Sequence, residues 1–289
     1  MNPIFRLALI FYIFLCSCEN NSSGQESCEN DYLNLWGECY SISLTSELIL
    51  TSNNLSASIP NSISSLVNLK YLDLSNCRLN GEIPKSISEL KNLEYLNLSN
   101  NQLSSSIPQS LNKLENLKYL NLSNNDLVGD IYNKFDSLTS LEYLNLSGNQ
   151  LIRTIPASFI NMQKIKSLSL SRNQLSGSIP LELCSIPSIE QLYLQHNNLN
   201  GEIPEELINL TSLKKLYINN NKITGEIKEN YFHQNMLEAL HLKNNELVGT
   251  FPESLCSITL LSVENNLLCP PYPLCIANIL GKQDTVDCY

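Results

Sequence analysis

The chain has 289 residues, of which 43% are hydrophobic and 16% are charged, and its formal net charge is -10. This balance supplies enough apolar side chains for a folded core, and it lacks the charge excess that is typical of disordered chains. The acidic charge repels phosphate backbones and acidic lipid headgroups, so nucleic acid is not an expected partner.

Residues 1–18 are typical of an export signal. A short basic region precedes an apolar run over residues 7–15, which is too short to span a bilayer. The segment Leu15-Cys16-Ser17-Cys18 resembles a bacterial lipobox, in which Cys18 would carry a lipid, and a plain cleaved signal is the alternative. Both interpretations predict a secreted or cell-surface protein that meets a membrane only through an N-terminal lipid. Residues 19–27 would form a flexible leader.

A 24-residue period governs the chain from residue 48 to residue 268. Each period contains a Leu-x-Leu triplet or a close variant, whose apolar side chains would share one face of a short strand. One coil cannot bury these side chains alone, so neighbouring coils must stack and share a core. The ten copies begin at Leu48, Leu72, Leu96, Leu120, Leu144, Leu168, Leu192, Leu216, Leu240 and, after only 21 residues, Leu261.

The repeat resembles the plant-type leucine-rich repeat, L-x-x-L-x-L-x-x-N-x-L, extended by G-x-I-P as in residues 197–204. Receptor-like ectodomains and polygalacturonase-inhibiting proteins share this pattern. The resemblance implies an α/β repeat fold, a right-handed leucine-rich-repeat solenoid (horseshoe). It would have a concave parallel β-sheet and a convex side of short 3-10 or irregular segments. Ten strands about 4.8 Å apart would make a sheet about 45 Å across.

Two columns of polar residues indicate how the coils keep their register. An asparagine recurs where the chain turns after each strand, and its amide can both donate to and accept from buried backbone groups. These residues are Asn53, Asn101, Asn125, Asn149, Asn173, Asn197, Asn221, Asn245 and Asn266. A second column alternates in sign, so opposite charges would meet at every coil boundary and a slip by one coil would oppose like charges. It comprises Lys70, Glu94, Lys118, Glu142, Lys166, Glu190, Lys214 and Glu238.

The N-terminal end of the array needs a cap, because a solenoid end exposes its leucines. Cysteines cluster at both ends of the array, as in disulfide-stapled caps of exported proteins. The segment Trp36-Gly37-Glu38-Cys39 resembles the N-terminal cap of plant-type repeats. We therefore expect a cap over residues 28–47 with a Cys28–Cys39 disulfide, bringing Trp36 and Tyr40 over the first coil.

The C-terminal cap is expected over residues 269–289. Residues 268–275 resemble the closing cap of plant-type repeats, and this resemblance suggests a Cys269–Cys275 disulfide. Cys288 would then have Cys256 as its nearby candidate partner. The alternative is that one of these thiols stays free.

The outward strand positions would form the concave surface, where residues can vary without disturbing the core. Tyrosine recurs there, and its rigid ring with a polar tip suits the binding of a protein, peptide or glycan. The alternative is that the tyrosines only pack against one another across strands. In the N-terminal half, serine and asparagine repeat at the same positions in successive coils, whereas other residues replace them in the C-terminal half. We therefore expect a specific ligand to bind in the C-terminal half. The candidate ligand-binding residues are Tyr71, Tyr95, Tyr119, Tyr143, Arg172, Tyr193, Gln195, His196, Tyr217, His241 and Lys243.

Nothing in the sequence indicates catalysis. It contains no pair of a nucleophile with a general base, no spacing of metal ligands and no phosphate-binding glycine loop. The histidines are few and dispersed, and therefore do not suggest a metal site: His196, His233 and His241. We expect no enzyme activity, no cofactor and no metal. The first hypothesis is a monomeric extracellular binding protein. The alternatives are an inhibitor of a secreted polysaccharide-degrading enzyme and the ligand-binding part of a receptor complex.

Overall fold

The computed structural model describes residues 28–132, 134–229, 231, 232, 237–286 and 288. The predicted signal, the leader and Cys18 lie outside these residues, and so does His233. None of the helices in the described residues has the length and apolar character that a membrane crossing requires.

The Leu-x-Leu triplets form one parallel sheet of ten strands, here called the inner sheet, in which successive coils are neighbours. The coils pair in frame, so that Leu120 lies opposite Leu144 and Tyr119 opposite Tyr143. The triplet leucines Leu120 and Leu122 are fully buried in a core that runs through all the coils. The predicted solenoid is confirmed. Its inner strands are Glu47–Ile49, Tyr71–Asp73, Tyr95–Asn97, Tyr119–Asn121, Tyr143–Asn145, Ser167–Ser169, Gln191–Tyr193, Lys215–Tyr217, Ala239–His241 and Leu260–Ser262.

A second parallel sheet, here called the outer sheet, follows the asparagine turns, and the sequence pattern did not predict it. Six of its seven strands bury a single apolar residue, such as Leu103 or Leu127, and the short strand Asn80–Gly81 buries none. With one inward side chain per strand, the segment is too short to show the alternation by which strands are recognised in a sequence. The strands are Asn80–Gly81, Gln102–Ser106, Asp126–Gly129, Gln150–Arg153, Gln174–Gly177, Asn198–Glu202 and Lys222–Thr224.

Short 3-10 helices lie on the convex side, and most of them directly follow a proline. Proline fixes φ near the helical value and lacks the N–H that a helix start would leave unpaired. The two coils with Tyr132 and Lys228 at the proline position show no such helix in their described residues. The helices are Asn61–Ser65, Lys85–Glu89, Gln109–Lys113, Ala157–Asn161, Leu183–Ser185, Glu205–Asn209, Glu253–Ser257 and Leu274–Ile276.

The asparagine column links each coil to its predecessor through the side-chain amide. Nδ2 of Asn101 donates to the carbonyls of Leu74 and Leu98 at 2.8 and 3.0 Å. Its Oδ1 accepts the backbone N–H groups of Cys77 and Leu79, both at 3.0 Å. In the coil where Cys77 replaces asparagine, the thiol donates to the carbonyl of Leu50 at 2.7 Å. The predicted role of the amide is confirmed.

The N-terminal cap is an antiparallel hairpin of strands Tyr32–Leu35 and Glu38–Ser41. The predicted Cys28–Cys39 disulfide is present, with the two Cα atoms 5.8 Å apart. Leu35 is buried against the first coil, and Trp36 and Tyr40 pack on the core as partly buried side chains. The indole Nε1 of Trp36 also donates to the carbonyl of Ser58 at 3.2 Å. The hairpin therefore covers the leucines that the first coil would otherwise expose.

The C-terminal cap corrects the predicted pairing: the disulfides are Cys256–Cys275 and Cys269–Cys288, not Cys269–Cys275 and Cys256–Cys288. The helix that carries Cys275 and the helix that carries Cys256 lie about one coil apart along the chain, and both disulfides span 19 residues. Each bond therefore joins neighbouring turns of the solenoid. The resemblance of residues 268–275 to the closing cap of plant-type repeats had suggested a pair within one turn, but the cap continues the coiling.

The alternating charges pair at every second boundary, not at every boundary as predicted. Each of three lysines has its Nζ 2.7 Å from the glutamate of the preceding coil: Lys118 with Glu94, Lys166 with Glu142 and Lys214 with Glu190. A lysine that points to the preceding coil cannot also reach the following one. Lys70 has Ser46 at the preceding position and, among the described residues, no acidic partner within 4.0 Å.

Candidate functional site

The candidate site is the concave face of the inner sheet, to which the strands present alternate side chains. The first outward column begins with Tyr71, Tyr95, Tyr119 and Tyr143, here called the tyrosine ladder. The next column carries Asp73 and asparagines in the first half of the sheet, and Tyr193, Tyr217 and His241 in the second half. The two halves of the face therefore have different chemistry.

The tyrosine ladder is a stack of parallel rings. Successive centroids lie 4.0, 4.2 and 4.4 Å apart, and the ring planes differ by 8° or less. These spacings are shorter than the usual spacing of about 4.8 Å between neighbouring strands, as expected for side chains on the inside of a curve. Because the ring faces stack against one another, mainly the ring edges and the hydroxyl groups remain accessible to a ligand. Cross-strand packing is therefore what the structure shows for these four residues.

Because their pKa values are raised, mainly by burial, the hydroxyls of Tyr71, Tyr95 and Tyr119 are uncharged at neutral pH. Burial, followed by the neighbouring Tyr143, raises the pKa of Tyr119 to about 12. Burial is also the main reason why the pKa of Tyr95 is raised. The Nδ2 groups of Asn121 and Asn145 donate to the hydroxyls of Tyr119 and Tyr143 at 3.4 and 3.2 Å. The tyrosine ladder is therefore hydrogen-bonded to the neighbouring asparagine column of the same face.

In the second half of the face the aromatic rings are less regular. Tyr193 meets Tyr217 edge-on, with centroids 5.1 Å apart and planes at 87°. Tyr217 lies 4.2 Å from the ring of His241 at a tilt of 32°. The Tyr193 hydroxyl donates to Oε1 of Gln191 at 3.0 Å. The edge-on and tilted contacts leave more of each ring face accessible than stacking does, so these rings suit contact with a ligand.

An asparagine ladder borders the face where the strands end, and Arg172 and His196 interrupt it. Nδ2 of Asn124 donates to Oδ1 of Asn100 at 2.8 Å, and Asn244 donates to Asn220 at 2.6 Å. All these residues have φ near +55°, a left-handed conformation that asparagine tolerates better than most residues. Arginine and histidine therefore occupy positions at which the local backbone favours asparagine.

Basic groups in this half depress the histidine pKa values. Burial lowers the pKa of His196 most, and Arg172 and Lys243 lower it further. Burial also lowers the pKa of His241, with a further contribution from Lys243, while Glu264 opposes the shift. Both imidazoles are therefore mainly neutral at pH 7, when they can donate through one nitrogen and accept through the other.

Three polar atoms in the second half are buried without a hydrogen-bond partner among the described residues: Oε1 of Gln195, Oγ of Ser262 and Oε2 of Glu264. Sequence reasoning named Gln195 and missed Ser262 and Glu264, and it did not select Lys215 either. The last strand is displaced by the contracted 21-residue coil, so a fixed 24-residue frame does not align Ser262 with His241. Pairing of those two residues in the sheet shows that they share a column.

Leucine-rich-repeat family patterns match most of the solenoid. A leucine-rich repeat region matches residues 47–146, a leucine rich repeat matches residues 151–199, and further repeats match residues 212–233 and 236–258. No curated protein sequence matches this chain.

Solved structures of plant proteins are similar to this one. The Arabidopsis receptor kinase HAESA, in complex with the peptide hormone IDA and the co-receptor SERK1, is 38% identical, with a TM-score of 0.71 over 76% of this chain and 37% of that chain. A TDR receptor is 33% identical, with a TM-score of 0.71 over 73% of this chain and 37% of that chain. This chain therefore spans little more than a third of either receptor.

A plant ice-binding protein is 27% identical, with a TM-score of 0.67 over 86% of this chain and 80% of that chain. The receptor neighbours and the three disulfides among the described residues indicate a protein of the extracellular space or the cell surface. The repeat matches, the ten-coil parallel sheet and the plant neighbours together show that this chain belongs to the plant-type leucine-rich-repeat proteins.

Proposed function

We propose that this protein binds a peptide, or an extended segment of a protein, across the C-terminal half of its concave face. The observation that carries the proposal is the cluster of unstacked aromatic rings and basic groups around Tyr193, Tyr217, His241, Arg172 and Lys243. Aromatic and arginine side chains on a rigid surface are the usual anchors of protein recognition. The receptor neighbour that was solved with a peptide hormone supports the same type of ligand.

The dimensions of this half suit a short extended ligand. Arg172 and Glu264 lie in coils that are four strand spacings apart, which is about 19 Å. About six residues of extended chain cover that distance. A strip of this size, without a lid, favours a peptide segment over a small molecule, which is usually enclosed in a pocket.

The proposal includes a monomeric protein with no catalytic activity of its own, consistent with leucine-rich-repeat receptor ectodomains, which typically are not enzymes. Export by the N-terminal segment, with or without a lipid on Cys18, stays a prediction. Mass spectrometry of the mature N-terminus distinguishes the two forms, because an acylated Cys18 would be heavier than the cleaved, unmodified residue.

The test is a selection of random peptides displayed on phage against the full chain. A double variant, Tyr193→Ala with Tyr217→Ala, removes both rings, and Tyr132→Ala removes an exposed ring from the convex side as the matched control. We expect at least tenfold weaker binding of the selected peptides to the double variant and unchanged binding to the control. Equal binding to all three proteins, each folded by circular dichroism, would contradict the proposal.

A second candidate function is ice binding. The first half of the concave face repeats an exposed asparagine at strand spacing, in Asn76, Asn100 and Asn124, beside serines that are buried or half-buried. The similarity in length to the plant ice-binding protein adds support. Growth of ice crystals in solutions of the protein tests it. Crystals that grow as fast and in the same shape as in an equal concentration of albumin would exclude this function.

Inhibition of a polysaccharide-degrading enzyme and membership of a receptor complex are narrower forms of protein binding. Polygalacturonase activity measured with and without the protein distinguishes the first of these. An unchanged rate of pectin hydrolysis would exclude that target class and leave peptide binding unaffected.

A further inference from the structure

The charge on the C-terminal half of the concave face is opposite to that of the whole protein. The chain carries a net charge of -10, yet this half presents Arg172, Lys215 and Lys243 together with His196 and His241. These five residues are here called the cationic patch. An acid beside the patch is Glu264, which faces His241 from the turn after the last strand. A surplus of basic groups on one face of an acidic protein creates a local positive potential.

In the part of the chain that the structure describes, Arg172, Lys215 and Lys243 have no acidic partner within 4.0 Å. Among the described residues, the ion pairs within 4.0 Å use other lysines and Arg153, and none of them includes Arg172, Lys215 or Lys243. Lys214, next to Lys215 in sequence, shows the contrast, because its Nζ lies 2.7 Å from Oε2 of Glu190. The patch therefore keeps its charge available for a ligand.

The backbone fixes the positions from which these side chains extend. The N–H of Arg172 donates to the carbonyl of Gln195 at 2.8 Å, and the N–H of His196 donates to that of Asn219 at 3.0 Å. Both residues belong to the border where other coils carry hydrogen-bonded asparagines. A rigid backbone reduces the ordering cost of binding.

Gln195 lies beside the patch with an unsatisfied amide. Its Oε1 is buried and has no partner among the described residues. Rotation of the amide exchanges Oε1 and Nε2, so the same position can present an N–H donor to an acceptor. An anionic oxygen on the patch would give this amide a partner.

Resting on the proposed function, we propose that the cationic patch binds the carboxylates of an acidic peptide segment, with Arg172 and Lys243 as charged contacts at separate points of the patch. Gln195 donates a neutral hydrogen bond, and Tyr193 and Tyr217 pack on the adjoining residue of the peptide. Arginine offers paired N–H donors that match a carboxylate, and lysine contributes a point charge. The acidic partner is the opposite of what the overall charge of -10 would attract.

The histidines make this binding depend on pH. His196 faces Arg172, Lys243 and Asn220, while His241 faces Tyr217, Lys243 and Glu264. A bound carboxylate favours the protonated imidazole, so proton uptake accompanies binding. The affinity for an acidic peptide is expected to rise as the pH falls from about 7.5 toward about 5.5, while peptide carboxylates with a pKa of about 4 stay ionised.

The test compares the composition of peptides selected from a displayed random library on three proteins. These are the natural chain, a patch variant with Arg172→Gln and Lys243→Gln, and a control with Lys85→Gln and Lys164→Gln, which lowers the net charge equally outside the concave face. Asp and Glu should be enriched at least threefold over the input on the natural chain and the control, and not on the patch variant. One selected peptide is then measured by calorimetry against its Asp→Asn or Glu→Gln form.

The acid form should bind the natural chain about tenfold more tightly than the amide form, which corresponds to about 1.4 kcal/mol, and the two forms should bind the patch variant within twofold. Selected peptides without acidic enrichment, or equal affinity of both forms for the natural chain, would overturn the carboxylate proposal and leave peptide binding intact. If no peptide is retained above the level of the Tyr193→Ala and Tyr217→Ala variant, both proposals fail.

Discussion

Asn125 and Leu98 are joined across a coil boundary: Nδ2 of the asparagine donates to the leucine carbonyl, 27 residues earlier, at 3.0 Å. The same amide reaches the carbonyl of Leu122 at 3.1 Å, and its Oδ1 accepts the N–H of Leu103 at 3.0 Å. One buried side chain therefore satisfies backbone groups of two coils. The column of such amides fixes the pitch of the solenoid and so the geometry of its concave face.

Replacing Asn125 with alanine should lower the free energy of unfolding by about 3 kcal/mol, because buried backbone groups lose their partners. The measurement is a urea unfolding curve. Asn116→Ala is the control in the same coil, since this exposed asparagine makes a single hydrogen bond to the carbonyl of Lys91 at 2.9 Å. Its effect should stay below about 1 kcal/mol. Equal losses for both variants would show that the buried amide has no special role.

Replacing Ser105 with glycine should stabilise the protein. Ser105 has φ of +71°, at a position where most coils have glycine in the same conformation. Relief of the left-handed strain is worth about 1 kcal/mol, and the greater freedom of glycine in the unfolded chain offsets part of it. A higher thermal midpoint is therefore expected. The adjacent Ser104→Gly, which is not left-handed, should lower the midpoint, and the same sign for both changes would contradict the argument.

The disulfides of the C-terminal cap can be read from a digest of the unreduced protein with trypsin and a glutamate-specific protease. Cleavage after Glu253, Glu264 and Lys282 separates residues 254–264, 265–282 and 283–289. The observed pairing should hold all three fragments in one species, with partial reduction assigning Cys256 to Cys275 and Cys269 to Cys288. An isolated 265–282 fragment with an internal disulfide would instead restore the Cys269–Cys275 pair.

The histidine pKa values predict how stability changes with pH. Because the folded-state pKa of His196 and His241 is lowered, the unfolded chain binds more protons than the folded chain below the ordinary histidine pKa of about 6.5. Their contribution to stability is complete above that pH and declines as the pH falls toward the folded-state values. Proton NMR titration should show both values rise in Lys243→Gln. Unchanged histidine pKa values in this variant would show that the charge of Lys243 does not act on His196 and His241.

The sequence predicted the parts of the fold that repeat. Leucine spacing and the asparagine column depend on side chains that every coil must place alike, so the inner sheet and its register followed from them. The outer sheet could not be predicted in this way. A strand with a single inward residue, such as Leu103, does not show the alternation of apolar and polar residues by which a strand is recognised. The predicted disulfide partner of Cys256 was also wrong. The C-terminal cap continues the coils of the solenoid although its sequence no longer follows the 24-residue repeat.

The candidate site was only partly open to sequence reasoning. Tyr193 and Arg172 could be recognised in the sequence because they differ from the residues at the same positions of other coils. In the structure both residues lie in the same half of the concave face. Which tyrosines stack and which stay tilted depends on the neighbours in adjacent coils and on the sheet's curvature. The unsatisfied polar atoms of Ser262 and Glu264 could not be predicted, because the last strand is displaced and the 24-residue repeat does not give its position.

The disulfides make the two ends of the solenoid unequal. Cys28 and Cys39 lie in the same hairpin, so their bond leaves that hairpin free to detach from the first coil as a unit. Cys256 and Cys269, by contrast, tie the last coil to the segment that closes it, through two overlapping covalent loops. Spontaneous opening should therefore start at the amino end and travel toward the carboxyl end, with amide hydrogens exchanging in that order. The C-terminal half, which carries the proposed site, would be the last part of the array to come apart.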